Sequence, residues 1–190
     1  MTQIKTKELE AVVLNRLSKQ RAVHCLNVAK EAVKLAKNYG EDEEKAYVAG
    51  LLHDIQKEED KDLLKQCVID SKFEYEQVEI ETPALCHAIA SAAYARDKIG
   101  IEDIDILLAI RYHTIARDSM SELEQIVYLA DLVSEDRTYP DVEIMRKKSY
   151  EELNEAMLYA LVFSINDQTK KHGYLPCTTI KAYNYFLKKR

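Results

Sequence analysis

Glycine and proline are scarce in this chain, with 4 Gly and 3 Pro in 190 residues. A β-sandwich or an α/β domain of this length would normally need more turn-forming residues, so the composition favours an all-α fold. No apolar run approaches the length of a membrane span, and residues 1–5 lack the apolar segment of a signal peptide. We therefore expect an all-α, cytoplasmic protein.

The chain also has no paired cysteines and no excess of basic residues. Its four cysteines are scattered without a CxxC motif, which is typical of free thiols in the cytosol. The net charge of -6 argues against a nucleic-acid binder, although it leaves a phosphorylated small molecule open. With 47% hydrophobic and 32% charged residues, the sequence reads as one globular domain over residues 1–190.

Apolar residues recur at helical spacing through most of the chain. Gly40 follows one such stretch as a helix stop, and Thr82 followed by Pro83 resembles a helix start. Residues 58–82 are acidic and less regular, and we expect a short helix and a loop there. The predicted helices cover residues 7–17, 20–39, 42–55, 83–100, 102–113, 119–133 and 148–171, and a last helix begins near Thr178 or Thr179. Together they predict a helical bundle.

The most informative stretch is His53 followed by Asp54, at the end of an apolar helical run. Burying two such polar residues is costly unless something pairs with them. Helical spacing turns four further residues towards the interior as well. These inward-facing residues are His24, His87, His113 and Asp131. Imidazole and carboxylate ligands together suit first-row transition metals, so we expect one metal centre assembled from several helices.

Each of these residues also has an ordinary interpretation. A single histidine on an apolar face is usually a hydrogen-bonded core residue, and an inward aspartate near a helix end can cap a neighbouring helix. What favours a metal is the joint occurrence of four inward histidines and one inward aspartate, with Asp54 adjacent to one of them. The fifth histidine, His172, stands beside lysines at a helix end and is predicted to lie on the surface.

The ordered set of histidines and aspartates resembles the HD-domain metal-dependent phosphohydrolases, and the closer resemblance is to the YqeK family. The segments that carry it are residues 21–24 (RAVH), 51–57 (LLHDIQK), 109–114 (AIRYHT), 120–131 (MSELEQIVYLAD) and 182–184 (AYN), together with Arg137. That family comprises symmetrical bis(5'-nucleosyl)-tetraphosphatases, which split diadenosine tetraphosphate into two ADP at a di-iron type centre. The chain departs from the family at Gln56, at Ala116 and at Glu135-Asp136. These differences affect the expected details of the substrate pocket, but none of them removes a metal ligand.

The resemblance implies a role for each matching residue. One metal would be held by His24, His53, Asp54 and Asp131, and the second by Asp54, His87 and His113, with Asp54 bridging. Phosphates would be contacted by Arg21, Lys57, Thr114 and Arg137, of which Lys57 and Arg137 would assist catalysis together with Asp54. The nucleoside would lie near residues 174–179, which include Tyr174, Leu175, Thr178 and Thr179. Taken singly, the three cations are also typical of a solvated surface, and Tyr174 is equally typical of a packed loop residue.

We expect that a hydroxide shared between two metals attacks an inner phosphate, so that ADP leaves on each side. Two metals that share a hydroxide in this way lie about 3.5–4 Å apart. The family suggests iron, although Mn, Ni, Co or Zn would also suit these ligands. The expected partner is a dinucleoside polyphosphate or an ADP- or GDP-like diphosphate, without nucleic acid or membrane, and the sequence allows a homodimer. Two alternatives stay open: another HD phosphohydrolase that acts on nucleoside 5'-monophosphates, cyclic nucleotides or alarmones, and a non-catalytic nucleotide sensor.

Overall fold

A computed structural model describes residues 6–189, and within that range all regular secondary structure is helical, as predicted. The predicted domain boundaries, residues 1 and 190, lie outside the described residues. The eleven α-helices are α1 (Thr6–Arg16), α2 (Lys19–Tyr39), α3 (Glu43–Leu52), α4 (Lys61–Asp70), α5 (Gln77–Glu81), α6 (Pro83–Tyr94), α7 (Ile104–Tyr112), α8 (Glu122–Val133), α9 (Val142–Glu151), α10 (Leu153–Lys170) and α11 (Cys177–Lys188). A π-helical turn, Ala95–Ile99, continues α6.

Helices α2, α3 and α8 form the centre of the bundle, where α2 packs against both of the others. Ser18 caps the start of α2, and Gly40 ends it with a φ of 77°, a conformation that favours glycine. Gly50 lets α3 approach α2 closely, because a Cβ atom there would lie 2.9 Å from the Cα of Ala29. This contact holds the last turn of α3 beside the middle of α2, five residues after His24.

Helices α6, α7 and α8 complete the wall around that point, with α7 packed between α6 and α8. The predicted start of α6 is confirmed in position, since Pro83 is its first residue, but the Thr82 hydroxyl makes no capping hydrogen bond. Helix α8 begins at a capping box, in which the Ser121 hydroxyl accepts from the Glu124 backbone and the Glu124 carboxylate accepts from the Ser121 backbone.

Two predicted segments were wrong in detail. Residues 58–82 contain two helices, α4 and α5, rather than one, because Asp60 supplies an unpredicted N-cap for α4. The long helix predicted over residues 148–171 is divided between α9 and α10. Glu152 breaks it with an extended backbone, and its carboxylate accepts hydrogen bonds from the first N–H groups of α10.

No helix within residues 6–189 is both long and apolar enough to span a membrane. The four cysteines are all free thiols, as expected from their spacing.

Candidate metal centre

Six predicted ligands converge on one buried point inside the bundle. Two of them, His53 and His113, occupy the residue just after the last turn of α3 and of α7, and Asp54 follows the first of these. His24 comes from α2, His87 from α6 and Asp131 from the last turn of α8. Five of the six are buried, and Asp131 is partly exposed, with 17% of its side chain accessible. The structure therefore brings together all six residues that the sequence predicted.

The first part of the cluster surrounds Asp131. Its Oδ1 atom lies 3.0 Å from Nε2 of His24 and 3.8 Å from Nε2 of His53. Nε2 of His53 is in turn 3.5 Å from Oδ2 of Asp54. The donor atoms of His24, His53 and Asp131 all lie within 4.8 Å of one another, which is close enough to bind one ion.

The second part surrounds the other oxygen of Asp54. Its Oδ1 atom lies 2.9 Å from Nε2 of His87 and 3.6 Å from Nε2 of His113, and those two nitrogens are 3.2 Å apart. A second group of donor atoms within 4.8 Å consists of His53, Asp54 and His113. The two oxygens of Asp54 thus face two different sets of imidazoles, which is the arrangement that a bridging ligand requires.

Hydrogen bonds fix the orientation of three of the imidazole rings. The Nδ1 atoms of His53 and His113 each contact a backbone carbonyl of their own helix at 2.7 Å, that of Gly50 and of Ile110 respectively. With Nδ1–H as the donor, each ring turns the lone pair of Nε2 towards the centre, as a metal ligand must.

The third oriented ring is that of His24, and its partner was missed by the sequence analysis. Nδ1 of His24 lies 2.8 Å from Oδ2 of Asp136, whose other oxygen accepts from the Asn27 amide at 3.2 Å. The sequence signal was weak, because Asp136 stands in a loop and is 112 positions from His24. A carboxylate that holds a ligating imidazole in this way also raises its basicity.

The cluster combines two neutral imidazoles with two ionised carboxylates. Burial lowers the pKa of His87 to about 4 and also lowers the pKa of His113, so both rings are neutral, the form that binds metal. Burial alone would raise the pKa of Asp54 and of Asp131, but the neighbouring histidines lower both pKa values well below the usual range. Nε2 of His53 and Oδ1 of Asp54 are buried without a hydrogen bond. Such unpaired atoms are costly, and a metal ion would remove that cost.

The three predicted cations all reach the cluster. Nη1 of Arg21 lies 2.8 Å from Oδ2 of Asp54, and Nζ of Lys57 lies 3.8 Å from Oδ1 of the same residue. Arg137 forms an ion pair with Asp131 and donates from Nε to its backbone carbonyl at 2.7 Å. Each cation keeps about a third of its side chain accessible, so each can contact both the cluster and a bound anion.

A cavity of about 370 Å³, here called the His113 pocket, opens beside the cluster. Its lining includes the metal-ligand candidates His113 and Asp131 and the predicted substrate contacts Thr114, Tyr174, Leu175 and Thr179. Thr178 does not line it. Its backbone N–H instead donates to Oε1 of Glu76 at 2.6 Å. The hydroxyl of Thr179 donates to the carbonyl of Ile115 at 2.8 Å and so belongs to the wall.

One residue of the pocket, Thr82, was not among the predicted substrate contacts. The hydroxyls of Thr82 and Thr114 both lack a hydrogen-bond partner although they are buried, and both residues line the pocket. Tyr174, at 66% exposure, makes an aromatic rim. His172 is exposed and stands outside the ligand set, as predicted.

Comparison with known proteins agrees with this geometry. The HD domain family matches residues 21–136. The chain is 37% identical to a symmetrical bis(5'-nucleosyl)-tetraphosphatase of Halalkalibacterium halodurans, over 93% of this chain and 94% of that protein. It is 32% identical to a protein of the same name from Bacillus subtilis, over 95% of this chain and 97% of that protein. It also resembles the crystal structure of a predicted HD superfamily hydrolase involved in NAD metabolism from Clostridium acetobutylicum, with a TM-score of 0.93, 35% identity and 98% coverage of both chains.

Proposed function

This chain belongs to the HD domain family, in the branch of the symmetrical bis(5'-nucleosyl)-tetraphosphatases, and we propose from that premise that it hydrolyses diadenosine tetraphosphate to two ADP. The observation that carries the proposal is Asp54, whose two oxygens face two sets of imidazole nitrogens beside a pocket of nucleotide size. Phosphate-ester and anhydride hydrolysis commonly uses two metals that share a carboxylate ligand.

We assign six residues to a dinuclear centre. His24, His53, Asp54 and Asp131 would hold one metal, and Asp54, His87 and His113 the other. Iron is the first candidate, and Mn, Ni, Co and Zn also suit imidazole and carboxylate ligands. When bound, the metals would supply an activated water and neutralise phosphate charge.

The protein's own cations would bind and orient the tetraphosphate. Arg21, Lys57 and Arg137 surround the cluster from α2, from the turn after α3 and from the loop after α8. Cations held at fixed positions in a partly desolvated site stabilise the charge that develops on the leaving diphosphate. Because Arg21 and Arg137 already contact Asp54 and Asp131, they are held close to where the inner phosphates would lie.

The His113 pocket would hold one nucleoside. The unpaired hydroxyls of Thr82 and Thr114 would supply hydrogen bonds to phosphate or ribose oxygens. Tyr174 and Leu175 would cover the base, since an exposed aromatic ring at a pocket rim is suited to stacking. The inner phosphates would then lie next to His113, which lines the same pocket.

Product analysis tests the proposed function. Metal-loaded protein is incubated with diadenosine tetraphosphate, and the nucleotides are separated by anion-exchange chromatography. We expect two equivalents of ADP for each substrate consumed. Release of AMP with ATP, or of free phosphate, would contradict symmetrical cleavage and favour another HD phosphohydrolase, and binding without turnover would indicate a sensor.

A variant tests the assignment of Asp54. Asp54→Ala is expected to abolish both metal content, measured by elemental analysis of the purified protein, and turnover. The control is His172→Asn, which changes an exposed histidine outside the cluster and should leave both unchanged. Retained hydrolysis in Asp54→Ala would refute the bridging role.

A further inference from the structure

A second cavity borders the candidate metal centre, where it is lined by His24. This cavity, here called the α2 groove, has a volume of about 740 Å³. It shares no lining residue with the His113 pocket. The groove is lined by Lys19, Gln20, Arg21, Val23, His24, Asp136, Arg137, Thr138 and Tyr139.

The two cavities meet at the metal ligands. His24 lines the groove and Asp131 lines the pocket, and their side chains are 3.0 Å apart. Two aromatic rings also stand back to back between the cavities. Tyr139 lines the groove, Phe163 lines the pocket, and their ring centroids are 4.8 Å apart. The candidate metal centre therefore lies between two separate spaces.

Symmetrical cleavage places a geometric demand on the site. The bond that breaks lies at the midpoint of the substrate, so the midpoint must reach the metals while two identical nucleoside diphosphate halves extend away from it. The His113 pocket has room for one nucleoside. The other half has to leave the centre in a different direction, and the α2 groove is a space that begins at the same ligands.

The chemistry of the groove suits a nucleotide. Arg21 and Arg137 lie where the groove meets the metal ligands, and Lys19 adds a third cation one helical turn before Val23. Lys19 and Val23, at positions i and i+4, share a face of α2. Val23 is 45% exposed although it is apolar, so it offers uncovered apolar surface beside the cations. Cations and uncovered apolar surface in one cavity suit the phosphates and the nucleoside of the substrate.

We propose that the α2 groove binds the second nucleoside diphosphate half of a dinucleoside polyphosphate, with Lys19 contacting its phosphates and Val23 packing against its nucleoside. This inference rests on the proposed function, because it requires a substrate with two nucleosides. It assigns one half of the substrate to the His113 pocket and the other half to the groove.

Calorimetric binding to the metal-loaded protein tests the groove. The probes are a non-hydrolysable methylene-bridged analogue of diadenosine tetraphosphate, which fills both cavities, and ADP, which is one half of the substrate and can bind in each cavity separately. Lys19→Glu and Val23→Asp are expected to weaken binding of the analogue roughly tenfold each, since each places a carboxylate beside the substrate's charge. For ADP they should weaken one of two binding sites and change the affinity of the other site by less than about threefold. Lys37→Glu, an exposed lysine on the same helix about 27 Å away along its axis, is the matched control and should change neither.

Two outcomes would overturn the assignment. One is unchanged affinity for the analogue in both groove variants, and the other is equal weakening of both ADP sites. Circular dichroism of each variant shows whether it is folded, and Val23→Ala replaces Val23→Asp if the latter is not. Failure of the proposed function is a separate result, which is read from the products of the wild-type protein. If the wild-type protein forms two ADP but the groove variants bind the analogue with unchanged affinity, the assignment of the groove is refuted and the proposed function is not.

Discussion

A buried ion pair holds the short helix α5 against α7, and its removal is expected to be strongly destabilising. Glu79 and Arg111 have side chains that are 1% and 2% exposed, and two nitrogens of the guanidinium each lie 2.9 Å from a carboxylate oxygen. The same guanidinium donates to the carbonyl of Glu74 at 2.9 Å. Glu79→Gln would leave a buried positive charge without a counter-charge, which costs about 3–5 kcal/mol in comparable pairs.

The glutamine side chain would keep one acceptor oxygen for the guanidinium. We therefore expect a loss at the lower end of that range, about 3 kcal/mol of the free energy of unfolding. For a chain of this length, such a loss corresponds to a decrease in Tm of about 6–12 °C. Urea unfolding followed by circular dichroism measures the free energy. A control is Asp105→Asn, which removes one carboxylate from an exposed pair with Lys45 and should cost less than about 1 kcal/mol.

The double variant makes the reasoning refutable. Replacing a whole buried ion pair is far less costly than breaking it, so Glu79→Gln combined with Arg111→Met should be more stable than the two single effects added together. A loss below about 1 kcal/mol in Glu79→Gln, or strict additivity in the double variant, would show that the pair is not electrostatically coupled in the way that its burial implies.

Two further predictions concern Glu76 and Asp136. Partial burial acts to raise the pKa of Glu76, but hydrogen bonds from Thr178 and Cys177 outweigh it and lower the pKa below its usual 4.5. The contribution of Glu76 to stability is therefore present in full above pH 4.5 and is lost as the pH falls through its folded-state value. Glu76→Gln should lower the free energy of unfolding by about 1 kcal/mol at about pH 7. Urea titrations should show that this difference from the wild type shrinks below about pH 4.5. A difference that stays constant down to about pH 3 would contradict this prediction. Asp136→Ala removes the acceptor of the His24 ring and should weaken metal binding about 10- to 100-fold in competition titrations, whereas unchanged metal affinity would assign Asp136 to the surface.

The sequence predicted the candidate centre well because its ligands follow a local rule. His53, His113 and Asp131 each continue an apolar stripe with a period of about 3.6 residues, so their inward direction is a property of their own helices. Helix boundaries followed local signals too, and Gly40 and Pro83 stand where the sequence placed a stop and a start. The prediction went wrong where a cap was not recognised, at Asp60 and at Glu152.

Contacts between distant segments could not be predicted in this way. Asp136 meets His24 across 112 positions, and Glu76 binds the start of α11 across 102 positions. Such pairs depend on how the helices pack, which a single sequence pattern does not encode. Arg111 is an example of such a residue within the segment 109–114, two residues before His113. Only its burial against Glu79 shows that it stabilises the fold and does not line the candidate metal centre.

The sequence by itself determined that this protein is helical and that four histidines and one aspartate turn inward, since helical periodicity is set by neighbouring residues. The tertiary structure alone decided which oxygen of Asp54 faces which imidazoles, and it alone placed two separate cavities beside them. The physical reason is that the distance between two side chains on different helices depends on the packing of α2, α3, α6, α7 and α8. Helical periodicity indicates which side of each helix is buried, and packing decides which atoms meet there.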